Sequence, residues 1–163
     1  MTMADTGEEG LWPALDSANK SRALVYLEFF RAIERRLGRA VAIEICKEAI
    51  RNWGGRLAAG LEAQRPDGFK GLAESFAYAP DGGRMFQPRV DRCDRSALDV
   101  QFDRCPLKAA WLEAGVPATE VALFCEIAAE ADYGTLEAAG FAVSIDTWKP
   151  GKHGCCHLKI RAR

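Results

Sequence analysis

Ala23, Tyr26, Leu27, Phe30, Ile33 and Leu37 recur at helical spacing and form one apolar stripe. The spacing predicts a first helix over 17–37, closed by Gly38. A second stripe, Ile43, Cys46, Ile50, Trp53 and Leu57, predicts a helix over 39–61, weakened at Gly54-Gly55. With only Gly38 between them, the two helices are expected to pack as an antiparallel hairpin. Arg65-Pro66-Asp67-Gly68 and Pro80-Asp81-Gly82-Gly83 carry turn chemistry, and a short helix is expected between them near 69–78.

The period then changes to two. Phe86–Cys93 and Ala97–Asp103 read as strands around a tight Asp94-Arg95-Ser96 turn, with Leu98, Val100 and Phe102 on one face. Pro88 cannot donate to a ladder, so the first of them is expected at a sheet edge. Pro106 suits the first turn of a helix reaching about Ala114, and Pro117 begins another reaching about Ala131. A short helical stretch follows at 135–139. Phe141, Val143 and Ile145 alternate, as do Cys156, Leu158 and Ile160, which gives two last strands joined through the loop Lys149–Gly154. The fold expected is α+β: an N-terminal helical hairpin packed on an antiparallel sheet built from two β-hairpins separated by helices.

Residues 1–16 contain Asp5, Glu8, Glu9 and Asp16 but no apolar run, and read as a flexible acidic leader in which Leu11 and Trp12 are able to dock. The rest, 17–163, reads as one domain with a helical half at about 17–79 and a sheet-containing half at about 84–163. A length of 163 residues suits a single domain. The 22 basic and 23 acidic side chains nearly cancel, which argues against a general nucleic-acid binder or a polybasic membrane protein. The start of the chain lacks the basic and apolar regions of a signal peptide, so a cytoplasmic location with reduced thiols is expected. Six cysteines are too few for a disulfide scaffold of this length. In a reducing compartment they are catalytic, metal-binding or simply buried.

Cys105 has the strongest local reason to matter. Placed before Pro106 it becomes a helix N-cap, where free N–H groups and the helix dipole favour a thiolate. The plainer alternative is a small buried residue at a strand–helix junction. Cys125 falls on the inward stripe of its helix with Val121, Phe124 and Ala128, and Asp132 lies two turns further along the same face. An inward carboxylate needs a partner or a task; otherwise Asp132 bends into solvent before Gly134 and Cys125 is core. On the last strand, alternation sends Cys156 inward with Leu158 and Ile160, and turns Cys155 and His157 the other way. With His153 close by, a Cys/His zinc site is conceivable, although no Cys-x-x-Cys spacing supports it. Cys46 and Cys93 read as packing or bystander residues. No phosphate loop, nucleophile elbow or His-Glu-x-x-His helix is present. Trp12, Trp53, Trp111 and Trp148 read as packing anchors, with Trp111 and Trp148 the candidates to line a pocket.

Several segments together resemble the family of L-2-amino-thiazoline-4-carboxylic acid hydrolases. They are Leu24–Phe30, Leu37-Gly38 and Ala42–Ile50 in the helical pair, Arg104-Cys105-Pro106, Phe124-Cys125 with Asp132, and Gly151 followed by Cys156–Ile160. The resemblance covers roughly 20–162. Leu158 stands where the family usually has Phe, and Cys155 is an additional thiol. The resemblance implies a hydrolase that opens a small cyclic amidine, turning 2-amino-thiazoline-4-carboxylate into an N-carbamoyl-cysteine. It selects Cys105, Cys125 and Cys156, and the candidate site adds Asp132 and His157. In the preferred version Cys105 attacks the C=N carbon, Asp132 or His157 moves protons, and no cofactor is required. In the other, Cys105, Cys125, Cys156 or His157 hold a divalent metal such as zinc that activates water. The expected partner is a small-molecule substrate, with neither nucleic acid nor membrane, and a homo-oligomer is left open, as are the roles of Cys155 and His153. The competing class is a non-enzymatic cysteine-containing domain that senses a small molecule, a metal or redox state.

Overall fold

The computed structural model describes residues 5–62, 68–79 and 81–163. Helix α1 spans Asp5–Leu37 and α2 spans Arg39–Gly55. Gly38 adopts φ +87° between them, a left-handed conformation that turns the chain back within one residue. Of the apolar stripes, Ala23, Leu27, Phe30 and Ile50 are buried, with Tyr26, Ile33, Ile43 and Cys46 packed beside them, while Leu37, Trp53 and Leu57 at the stripe ends are exposed. Two boundaries differ. Helix α1 begins at Asp5, not Ser17, so the acidic segment from Asp5 onward is helical, even with Pro13 inside it. Distant contacts explain this. Asp16 pairs with Arg104 at 2.5 Å, and the Arg104 guanidinium lies 5.2 Å from the centre of the Trp12 ring. The second helix ends at the Gly54-Gly55 pair, and a separate short helix, α3, covers Ala58–Glu62. Of the two expected loop turns, residues 63–67 and Pro80 lie outside the described residues.

Helix α4, Gly68–Leu72, runs into a π-helical turn at Ala73–Ala77. Strands β1 (Pro88–Cys93) and β2 (Ala97–Phe102) follow, then α5 (Pro106–Glu113), α6 (Ala118–Ala128), α7 (Glu130–Ala138), β3 (Phe141–Asp146) and β4 (His157–Ala162). The four strands form one antiparallel sheet in the order β1-β2-β4-β3, with β1 at the edge that Pro88 predicts. Leu98, Val100, Leu158 and Ile160 are fully covered on the inner face, while Asp99, Lys159 and Arg161 on the outer face keep solvent access. The architecture is therefore α+β, with two hairpins joined through the β2–β4 ladder.

Two apolar cores result. The helical core gathers α1, α2, α5 and α6 around Phe30, Trp111 and Phe124. Phe30 meets Phe124 edge-on at 5.1 Å, and the Trp111 indole N–H donates to the Ala23 carbonyl at 2.8 Å. Each such aromatic pair adds about 0.5–1.5 kcal/mol to the burial gain. The sheet core places Leu98, Val100, Leu158 and Ile160 against Leu61, Phe69, Leu72 and Leu136. Phe102 and Cys156 touch both cores. Among the described residues no helix is long and apolar enough to cross a membrane.

Candidate active site

A cavity of about 510 Å³ opens at the seam between the two cores. That size is typical of a small-molecule site. Cys105, Cys125, Asp132 and Cys156 all line it.

Cys105 is the N-cap of α5. Its extended backbone, φ −145° and ψ 114°, delivers the chain from β2 into the helix, and Pro106 occupies the first turn. The sulfur closes no capping hydrogen bond of ordinary length, but the Leu107 and Lys108 N–H groups and the Lys108 charge all act on it. The strongest influence is the neighbouring Cys155 thiol. Against the opposing effect of burial, these contacts lower the Cys105 pKa to about 7. The lowered pKa favours the thiolate, the more nucleophilic form of a cysteine.

Cys155 corrects the alternation argument. Strand β4 begins at His157, so Cys155 precedes it and escapes the strand's period. Its N–H donates to the Phe102 carbonyl at 2.8 Å, and the Phe102 N–H donates to the Cys156 carbonyl at 2.9 Å. Those bonds fasten the two cysteines to the end of β2. The Cys155 side chain turns inward, is buried, and has Cys105, Cys125 and Cys156 as thiol neighbours; its sulfur lies 3.5 Å from that of Cys156. The Cys105 thiolate, the other thiols and burial push its pKa far up, so Cys155 keeps its proton and donates. The preceding turn depends on Gly154, at φ +73°, where a Cβ would come within 2.9 Å of the Gln101 amide nitrogen. Lys108 Nζ donates to the Gly154 carbonyl and ties this turn to α5.

Asp132 reaches the cavity by a different route from the one the spacing suggests. The helix from Pro117 breaks at Ala129, so Cys125 ends up on α6 and Asp132 in the first turn of α7. The stretch expected as a separate helix at 135–139 is the end of α7. This helix presses directly onto α2: a Cβ on Gly54 would lie 2.2 Å from the Ala131 carbonyl oxygen, and one on Gly134 would lie 2.1 Å from that of Arg51. Thr135 Oγ1 donates to the Gly54 and Ala131 carbonyls at 2.9 and 2.8 Å, and Arg51 holds Glu130 and Glu137. The Asp132 carboxylate has no hydrogen-bond or ion-pair partner among the described residues. Burial raises its pKa to about 7, and the nearby Arg22 guanidinium moderates the rise.

His157 does not join these groups. Its imidazole faces Asp91 across the sheet, with Nε2 3.5 Å from the carboxylate, and does not line the cavity. His153 is exposed on the loop. Cys46 packs against the helical core, where burial raises its pKa, and Cys93 is exposed on the edge strand. The metal version of the site named Cys105 and Cys125 with Cys156 or His157. Among the described residues, no group of three or more His, Cys, Asp or Glu side chains is arranged to hold an ion. Trp53, not Trp148, joins Trp111 in the lining; Trp148 is buried beneath Lys108.

Arg22 is a lining residue that the stripe analysis did not single out. The signal was present: one turn back along the α1 stripe lies Asn19, with Arg22 beside Ala23, two polar side chains on a face that is otherwise apolar.

A thiol of lowered pKa and an unpartnered carboxyl group facing one open cavity give the chain a place for a small polar molecule. The model of the L-2-amino-thiazoline-4-carboxylic acid hydrolase family matches residues 18–159, and the chain belongs to that family. The family's name makes hydrolysis the coarse activity. No curated protein and no solved structure gives a significant match.

Proposed function

We propose that this protein opens the ring of a small cyclic amidine of the 2-amino-thiazoline-carboxylate kind, with Cys105 as nucleophile. The observation that carries the reading is the meeting of Cys105, poised to ionise near pH 7, and the unpartnered Asp132 on one cavity.

The Cys105 sulfur attacks the ring carbon that carries both nitrogens. The ring C–S bond then breaks, and the departing sulfur takes a proton from Asp132, whose raised pKa lets it hold one at neutral pH. This leaves an S-linked isothiourea on Cys105. Asp132, now ionised, takes a proton from water as the water adds to the same carbon. The bond to Cys105 breaks, giving an N-carbamoyl amino thiol and the free enzyme thiolate. One water is consumed and no oxidant is needed. Cys155 contributes by donating its S–H to the Cys105 thiolate before attack. Cys125 and Cys156 line the wall beside it. His157 has no part in this sequence.

The test is release of a free thiol from 2-amino-thiazoline-4-carboxylate by the purified chain, paired with intact-mass analysis of quenched turnovers. Turnover with a covalent adduct on Cys105, both lost in Cys105→Ser, is the expected result. Undiminished turnover by Cys105→Ser would overturn the nucleophile. The contiguous thiols of Cys105, Cys125, Cys155 and Cys156 favour a second reading, a ligand or redox sensor. That reading predicts rapid thiol reactivity with no turnover of any cyclic amidine.

A further inference from the structure

Arg22 places a cation with an unsatisfied donor on the cavity wall. Its Nη2 donates to Asn19 Oδ1 at 2.9 Å, and its guanidinium carbon lies 5.6 Å from the centre of the Trp53 ring. Asn19 is fixed in turn, because its amide nitrogen donates to the Leu15 carbonyl and to Met85 Sδ, both at 3.0 Å. These contacts set the plane of the guanidinium, yet its Nε–H is buried with no hydrogen-bond partner among the described residues. A buried donor without an acceptor is costly. A guanidinium whose plane is fixed in this way is preorganised for a planar anion. Arg22, Asn19 and Trp53 line the same cavity as Cys105 and Asp132, and Arg22 is the single cationic side chain among its described lining residues.

We infer that Arg22 is the specificity-determining anchor for a carboxylate on the substrate, paired through the charge of its guanidinium. The inference rests on the proposed ring-opening activity for its substrate, but the binding it describes does not depend on turnover. With the carboxylate on Arg22, the rest of the molecule lies in a cavity walled mostly by apolar side chains, with Asp132 and Cys105 within it. The two groups divide the work: the anion goes to Arg22 on α1, and the reacting end of the molecule lies toward Asp132 on α7. Pairing Arg22 with an anion also weakens its pull on Asp132, which favours the protonated acid that the first step uses.

The experiment compares a carboxylate with its neutral counterpart. Thiazolidine-4-carboxylate, which lacks the reactive amidine, and its carboxamide are titrated for protection of Cys105 against iodoacetamide. In the wild-type protein the carboxylate is expected to protect at a concentration at least about 30-fold lower than the carboxamide. In Arg22→Gln the two should become nearly equal, and Arg22→Lys, which keeps the charge but loses the planar fork, should fall between them. On 2-amino-thiazoline-4-carboxylate, Arg22→Gln should raise KM by a similar factor with kcat changed far less. Equal protection by the two compounds in the wild-type protein overturns the inference without any variant. Unaltered preference in Arg22→Gln overturns it equally. If carboxylate protection is intact but no amidine is turned over, Arg22 stands as an anchor and the hydrolase reading falls.

Discussion

The two walls of the cavity are built on opposite principles. The thiol wall of Cys105, Cys155 and Cys156 stands where backbone ends: a strand terminus, a helix N-terminus and a glycine turn held together by hydrogen bonds. The charged wall of Arg22 and Asp132 is carried on helices and set by how closely they pack. In the first wall, local dipoles and a neighbouring S–H tune the reactive group. In the second, burial does, and the charges have few partners. The contrast separates chemistry that depends on a few local contacts from chemistry that depends on the integrity of the fold.

The largest effect should come from the thiol wall. Cys105→Ser is expected to lower kcat/KM by at least about a thousandfold, while Cys93→Ser, on the exposed edge strand, leaves it unchanged; steady-state kinetics on both variants checks this. On the charged wall, Gly54→Ala drives a methyl into the Ala131 carbonyl and should cost at least about 2 kcal/mol in denaturant unfolding. Gly55→Ala is the control. A Cβ there meets only the Gly134 carbonyl oxygen, at 3.9 Å, so its stability should change little.

Asp132 separates stability from activity. Its folded pKa of about 7 lies above the ordinary 3.8, so the folded state holds a proton that the unfolded state releases. Stability therefore falls as pH rises through that interval, and the whole cost is present above pH 7. Asp132→Asn should unfold roughly 1–2 kcal/mol harder than wild type at pH 8, show little gain near pH 4, and turn over poorly at both. A variant less stable at pH 8 would show that Asp132 has a stabilising partner. The smallest effect tests tuning within the thiol wall. Removing the S–H donor in Cys155→Ala should raise the midpoint for Cys105 alkylation by about one pH unit from its value near 7, measured as iodoacetamide rate against pH.

How legible each wall was follows from the same contrast. Cys105 could be read directly, because Pro106 announces a helix start and a residue before it must cap. The strands could be read because Leu98, Val100, Leu158 and Ile160 alternate. Cys155 could not, since its inward turn depends on where β4 begins, and that is set by Gly154 and the ladder to Phe102. Asp132 was placed in the right region through a helix that in fact breaks at Ala129. Arg22 escaped notice because a charge beside a stripe ordinarily points to solvent, and only α2, folding back to bring Trp53 over it, encloses it. The helical start at Asp5 depends on Arg104, 88 residues beyond Asp16 in the chain. No local pattern carries that information.

The glycine contact between α2 and α7 has a practical consequence for redesign. Because backbone meets backbone there, the gap between these helices acts as a ruler that no rotamer change can adjust. Leu57, Leu61 and Phe76 also face the cavity but lie outside that contact. A library meant to fit a bulkier or slimmer ring should therefore be written at those three positions, with Gly54 and Gly134 left unvaried.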